Sequence, residues 1–600
     1  MKRLGRDIVF DYLRDLGVEY IFGVPGTNEI PLIDATSEPD SGVAYIPCLH
    51  ENIAMGAAMG YAWASGKPGI VELHVTPGAG HGVGNLYNAY KSHVPLVVIC
   101  AQQHSDLLVQ EPVLASDLVR TAGQYTKWAY EVRCAEELPL VLQRAFKEAL
   151  TPPMRPVFLS IPWNFTLAEV EQGPPHVTRV GRHFIGDAQA VAHAAELLAA
   201  ARTPILIAGD GVGAADAWAE LERLAELLGA PVYNEPMSSY MNYPNHLYHW
   251  QGELPQNPQG IQETFKGHDV ALLCGYNAQA HVFVYRYSQG PLIPLEVTQL
   301  YLHDDAWEIG KNAYGEAAIL GDIKATLPVL CERIAGDARR DAAAAGARAV
   351  ELRRRHERRL DALDEHAQTR SARPGDELPR GEDVAIALGR LQDEMPAPLT
   401  LVDEAISDQE AFHQYVRFDT PSSYLNAQGG SLGMSMPASI GLKLAAAGAR
   451  TIVNTVGDGT SLFYPHSWWT IRKFDVAVLY IVTNNREYKT LQLGRELIEG
   501  TYHWKPAGDA WYLRLREPPV SFVGLAASFG VAGSLVARLD ELEDRLREGL
   551  AAVAAGNPFV VEVLTDSSLD PGGLAVRTSA PAAGAGASEE HARFRRLGPP

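Results

Sequence analysis

Apolar runs in this chain, such as PLVVICA, TPILIAG, TIVNTV and VAVLYIVT, stop at strand length, and the segments between them carry apolar residues at helical spacing. Strands buried on both faces read as continuous apolar runs, and strand–helix alternation places them in parallel sheets covered by helices. The expected fold class is α/β, with three doubly wound parallel-sheet domains. One core cannot serve 600 residues, because domains hold about 150 residues each.

The alternation marks out three units. Residues 1–170 open with a helix over 4–17, with Ile8, Val9, Tyr12, Leu13 and Leu16 on one face, followed by the strand-like YIFGV and a Pro-Gly turn. A second unit covers 185–335 and a third covers 383–566, where the first pattern is repeated. Between them, 336–382 is rich in arginine and reads as an exposed, solvated helix followed by a turn-rich linker, its arginines forming a local basic patch. The end of the chain, 567–600, contains APAAGAGAS and reads as a flexible tail or lid.

Composition narrows the function classes. Fifty-one Lys and Arg against 72 Asp and Glu leave a net charge of −21, a field that repels nucleic acid. The five cysteines (Cys48, Cys100, Cys134, Cys274 and Cys331) form no CxxC pair, so neither a disulfide framework nor a structural zinc site is expected. Asp7, Asp11 and Asp15 interrupt any export signal, and no apolar run is long enough to cross a membrane. A cytoplasmic protein without membrane contact is the expectation.

The chemistry-bearing stretch is Gly457-Asp458-Gly459-Thr460, directly after TIVNTV, with Asn484-Asn485 closing the next strand. Both lie at carboxyl ends of parallel strands, where loops and helix N-termini present amides to phosphate. Asp458 offers a hard anionic oxygen and Asn485 a neutral one, a pair suited to Mg²⁺ shared with a diphosphate. Flanking glycines let the backbone approach the phosphates. A second Gly-Asp-Gly, at 209–211, reads as an ordinary turn.

This strand–GDG–helix–strand–NN arrangement resembles the thiamine-diphosphate-dependent decarboxylase, carboligase and acetolactate synthase superfamily, over nearly the whole chain. The resemblance implies that 1–170 binds the cofactor's pyrimidine, 185–335 is a central domain and 383–566 binds the diphosphate and Mg²⁺. LHENIAMGAAMGYA is similar to the superfamily's glutamate segment, implying that Glu51 contacts the pyrimidine N1′. In AQGGSLGMSMPASIG, Leu432 matches the wedge that bends the cofactor, and the Gly430 carbonyl matches the acceptor for its amino group. In LVDEAISD, the Ile406 backbone and Ser407 match positions reaching the diphosphate, Ile406 replacing a commoner hydroxyl residue. Asp458, Asn485 and the backbone carbonyl of Glu487 match the metal ligands, with Gly457, Gly459, Thr460 and Tyr488 near the diphosphate.

Within the superfamily, FGVPGTNEIP, VELHVTPGAGHGVGNLYNAYKSHVPLVV, CAQQ and KWAYEV resemble the benzoylformate decarboxylase branch. That implies catalytic roles for Thr27 and His74, with His281 as the candidate for a second histidine; His81 and His93 read equally well as structural. The segment after Asn485, REYKTLQLGRELIEG, is more charged than one that accompanies a benzoyl group, which points to a polar or carboxylated substrate. The resemblance implies Mg²⁺-assisted, thiamine-diphosphate-dependent decarboxylation of a 2-oxo acid to an aldehyde. Its alternatives are carboligation or 2-hydroxyacyl-CoA cleavage, and last a catalytically silent cofactor-binding protein, against which the presence of Glu51 and the metal motif speaks. It also implies a homodimer or homotetramer with active sites between subunits.

Overall fold

Three sheets organise the chain, each of six strands and each wholly parallel. This computed structural model describes residues 2–171, 173, 175–277, 282 and 284–566. The N-terminal sheet runs, in spatial order, Ala44–Pro47, Tyr20–Gly23, Gly69–His74, Leu96–Gln102, Val157–Pro162 and Trp128–Glu131. The C-terminal sheet repeats that order with Tyr424–Leu425, Leu399–Glu404, Thr451–Gly457, Leu479–Asn484, Phe559–Leu564 and Ala532–Val536. In both, the chain reverses its direction of travel between the first-formed strand and the third. At that reversal the connections leave in opposite directions, opening a crevice at the strands' carboxyl ends. Tyr20–Gly23 beside Gly69–His74 makes the crevice in one sheet, and Leu399–Glu404 beside Thr451–Gly457 makes it in the other.

The central sheet differs, with order Trp250–Glu253, Val232–Asn234, Pro204–Ala208, Val270–Cys274, Thr298–His303 and Ala317–Leu320. Its reversal lies between Pro204–Ala208 and Val270–Cys274. A short antiparallel pair, Lys2–Leu4 with Glu169–Glu171, ties the two ends of the first unit together, a contact too brief for sequence periodicity to show.

The N- and C-terminal units share one core, which runs from Ile53 and Met59 through Met434 and Ile440 to Trp468 and Tyr480. At its centre the helix Glu51–Ser65 crosses the helix Ser435–Ala446. Bare glycines make the crossing close: a methyl group on Gly60 would overlap the Ala438 carbonyl, and one on Gly441 would overlap the Ala57 carbonyl. Both helices are rich in small residues for this reason.

The arginine-rich stretch is helical as read from the sequence, but its arginines are not all solvated. It forms one long helix, Ala342–Ser371, and several of its arginines hold neighbouring units. Arg348 donates to the Leu228 carbonyl and Arg359 to the Trp250 carbonyl, while the buried Arg370 grips Asp383 through two nitrogens. Long side chains can lay their stems along apolar surface and still reach acceptors, so charge content alone did not reveal this packing. The proposed tail lies outside the described residues. Among the described residues, no helix is long and apolar enough to cross a membrane.

Gly60→Ala separates two effects of opposite sign. Helix propensity alone would stabilise the chain by about 1 kcal/mol, whereas overlap with the Ala438 carbonyl costs about 1–3 kcal/mol. A lower Tm than wild type is expected; a higher one would mean that the crossing is not close.

Candidate active site

At the C-terminal crevice, Asp458 starts the turn that follows Thr451–Gly457 and is 4% exposed. Its Oδ1 accepts the Gly459 amide at 2.8 Å, while Oδ2 is buried without a hydrogen-bond partner among the described residues. Burial pushes the carboxyl up to about 6, opposed by the nearby amides of Gly459, Arg486 and Glu487. A divalent cation would satisfy the orphaned oxygen and restore the charge, so the donor set fits Mg²⁺. Asn485 closes the adjacent strand, and its Oδ1 accepts the Glu487 amide at 2.9 Å. Arg486 between them has φ +61°, a left-handed turn that an arginine adopts only under constraint.

Around this turn, the Tyr488 ring fills the space a side chain would need at Gly459, whereas a methyl group on Gly457 would meet nothing. Gly430, with φ +72°, is likewise open on its Cβ side. Those two open backbone positions are where a ligand can approach the chain. Ser407 Oγ lies 3.1 Å from Thr490 Oγ1, which brings the loop after Leu399–Glu404 to the helix Lys489–Tyr502, and Ile406 beside it is 36% exposed. Thr460 is buried in the turn. Glu404, which no motif singled out, receives the amides of Gly433, Met434 and Ser435 and so anchors the Leu432 loop to the crevice. Burial still pushes its carboxyl up to about 7.

The N-terminal crevice holds His74 at the end of Gly69–His74, with Nδ1 2.7 Å from Glu29 Oε2. Glu29 sits in the turn Thr27–Glu29, so the pair links the loop after the first strand to the end of the third. Gly26 leaves just enough room for the imidazole, since a methyl group there would overlap the ring. Thr27, next in the chain, is exposed at the same mouth. Val75, directly after His74, has φ +41°, a strained conformation for a β-branched residue that costs about 1–3 kcal/mol. That strain turns the chain from strand to helix while His74 stays at the crevice. Burial pushes Glu29 up to about 7, against the pull of His74. Beneath it Glu72 is fully buried, accepts the Tyr45 hydroxyl at 2.8 Å and is raised further by burial and by Glu29.

Glu51 lies at the start of Glu51–Ser65, 7% exposed, with Oε2 3.1 Å from His81 Nδ1. His81, read from sequence as an equal candidate for a structural role, is thus in contact with the glutamate. His50, Glu51 and His81 lie close enough to suggest a metal cluster, yet His50 Nδ1 accepts the Asn52 amide as the helix cap. A ring nitrogen that accepts places the proton on the other one, which removes His50 from service as a ligand.

The N- and C-terminal units are hydrogen-bonded to each other within this chain. Asn52, beside Glu51, donates to the Tyr464 hydroxyl at 2.6 Å. Asn88, from the helix Val75–Lys91, clamps Ser431 by donating to its carbonyl at 2.8 Å and accepting its amide at 3.0 Å. Leu432 follows, half-buried. Within this chain, the helix that Glu51 opens packs against the helix that follows the Gly430–Leu432 loop. His281 lies outside the described residues. His93 is half-buried beside Arg155, 3.2 Å away, and loss of hydration lowers it to about 3, consistent with a structural role.

Comparison with known proteins shows the family of this chain. Thiamine pyrophosphate enzyme profiles match the N-terminal binding domain over residues 3–118, the central domain over 191–330 and the C-terminal binding domain over 407–563. This chain belongs to the thiamine pyrophosphate enzymes. It is 31% identical over 572 residues to the benzoylformate decarboxylase of Pseudomonas aeruginosa, covering 93% of this chain and 98% of that one. It is 25% identical over 590 residues to a probable acetolactate synthase large subunit of Methanocaldococcus jannaschii, covering 95% and 94%. Among solved structures, a Rhodococcus jostii 4-hydroxybenzoylformate decarboxylase superposes with a TM-score of 0.79 at 26% identity, covering 94% and 99%. A Polynucleobacter necessarius benzoylformate decarboxylase gives 0.80 at 25%, covering 95% and 100%.

The Glu29 carboxyl yields a prediction whose sign is fixed by its shift. Its folded value is raised from 4.5 to about 7, so its contribution to stability is complete below pH 4.5 and is lost as pH rises through 7. Roughly 3 kcal/mol is at stake over that window. Urea midpoints of wild type should fall relative to Glu29→Gln as pH rises from 4.5 to 7; parallel curves would place Glu29 in a solvated environment.

Proposed function

We propose that this thiamine pyrophosphate enzyme is a Mg²⁺-dependent lyase that decarboxylates a 2-oxo acid to an aldehyde. The observation that carries the reading is the His74–Glu29 pair, held at the crevice mouth by a strained residue and backed by the buried Glu72. When bound, thiamine diphosphate would supply a nucleophilic carbon and an electron sink for loss of carbon dioxide.

The chain's own residues handle protons and position. Glu51, buried and hydrogen-bonded to His81, can hold or release a proton at the cofactor's pyrimidine. His74 has Nδ1 committed to Glu29, which leaves Nε2 as the atom that gives or takes a proton when the product forms. Thr27 supplies a hydroxyl at the same mouth. Asp458, Asn485 and the Glu487 carbonyl would hold Mg²⁺, and the open backbone at Gly457 admits the diphosphate. The helix Lys489–Tyr502 carries Lys489, Arg495, Glu496 and Glu499 and buries none of its residues, which favours a polar or carboxylated side chain on the substrate.

The similarity to acetolactate synthases favours a second reading, in which the fragment of the 2-oxo acid left after loss of carbon dioxide adds to an acceptor carbonyl instead of taking up a proton. Proton NMR of the protein with thiamine diphosphate, Mg²⁺ and a panel of 2-oxo acids tests both. Aldehyde without an added acceptor is the expected result; product only with an acceptor would establish carboligation, and no turnover would overturn both. Glu51→Gln should lower turnover by about 100-fold or more with an unchanged Tm. Asp458→Ala should abolish Mg²⁺-dependent cofactor binding in calorimetry, and unchanged affinity would remove it from the metal site.

A further inference from the structure

In doubly wound sheets the reversal crevice is the ordinary place for a ligand, but that of the central sheet is filled. Gly211 donates its amide to the Gly275 carbonyl at 3.0 Å, and a methyl group on Gly211 would come within 2.7 Å of the Gly275 Cα. The Gly-Asp-Gly at 209–211 therefore closes on the opposite loop, and its aspartate turns inward: Asp210 accepts the Ser239 amide at 2.8 Å and the Asn242 side chain at 3.1 Å.

Next to it stands Glu235, 1% exposed, at the end of Val232–Asn234. Its carboxyl receives three N–H groups: the Asp210 amide at 2.6 Å, the Asn277 amide at 2.8 Å and the Gln428 side chain at 2.9 Å. Asn277 also donates to Gln428 Oε1 at 2.9 Å, so the Gln428 amide is held at both ends by the central unit. The Gln428 backbone amide donates to Ser92 Oγ at 3.1 Å. Gln428 is two residues from Gly430, and three residues on, Ser431 is clamped by Asn88.

We propose that Glu235 is a positioning residue for the cofactor loop: through Gln428, the central unit fixes the Gly430 carbonyl where the cofactor's amino group must be received. A loop with an open, left-handed glycine has little intrinsic preference for one geometry. Side chains from outside must supply it, and here they come from the N-terminal unit on one side and the central unit on the other. The central unit thus takes part in cofactor placement while the loops at its own crevice close on each other. This inference rests on the thiamine diphosphate reading of the loop, and its first measurement does not.

Hydrogen–deuterium exchange of the cofactor-free protein, read over the peptide 426–433, is that measurement. Glu235→Gln keeps the shape but sets an amide NH₂ against N–H donors, and it should speed exchange of that peptide by about tenfold while leaving 451–457 unchanged. Asn277→Asp, which turns an acceptor toward Gln428 Oε1, should do the same if the first variant fails to fold. Unchanged exchange in the folded variant overturns the proposal. A double-mutant cycle then separates positioning from general structure. Glu235→Gln should weaken thiamine diphosphate binding by about tenfold, and should add less than about twofold once Gln428→Ala is present. Additive losses would show that Glu235 does not act through Gln428. If wild type binds no thiamine diphosphate, the functional reading falls, and the exchange result still decides whether Glu235 holds the loop.

Discussion

The close crossing of Glu51–Ser65 over Ser435–Ala446 is the contact on which the rest depends. Each helix begins at the carboxyl edge of its own sheet, so bringing them together backbone to backbone joins the two units at those edges. Dispersion at such a crossing is gained only at short range, and the bare glycines at 60 and 441 are what permit it. A chain with alanine at those positions would still form both sheets, but Glu51 and the Gly430 loop would stand further apart.

Much of this was legible in the sequence because it is local. Strand-length apolar runs alternating with helical patterns gave the α/β class and three parallel sheets, as observed. The GDG motif and its strand partner lie within one sheet, and the structure puts both at the same edge. What could not be read depends on partners far apart in the chain. Glu29 and His74 are separated by 45 residues, and Glu235 and Gln428 by 193. A lone glutamate in a turn or at a strand end carries no periodic signal. Only NEIP after the Pro-Gly turn, with a histidine ending a later strand, hinted at the first pair.

The arginine-rich segment shows the opposite failure. Its composition is that of a solvated helix, and its exposed face is one, but Arg348, Arg359 and Arg370 reach across to backbone carbonyls and a buried carboxylate. Guanidinium groups are the cations best suited to such contacts, being planar, weakly hydrated and rich in donors. A segment between two domains that carries them acts as a strap, and charge counting does not distinguish a strap from a tether.

Buried carboxyls give the two crevices a common logic. Glu29, Glu72, Glu404 and Asp458 are each raised chiefly by burial, which means the fold holds acidic groups where water cannot stabilise their charge. The four are not equivalent. Glu404 is met by three amides and anchors a loop, whereas Asp458 keeps one oxygen without a partner among the described residues and is the group a cation would most improve. Glu29 has a histidine at 2.7 Å, so its proton can be shared with a group that faces the crevice. Two carboxyls raised into the same range thus differ in their surroundings, an oxygen without a partner among the described residues in one crevice and an imidazole nitrogen 2.7 Å away in the other. On the proposed reading, that difference separates the end that holds the diphosphate from the end that handles protons.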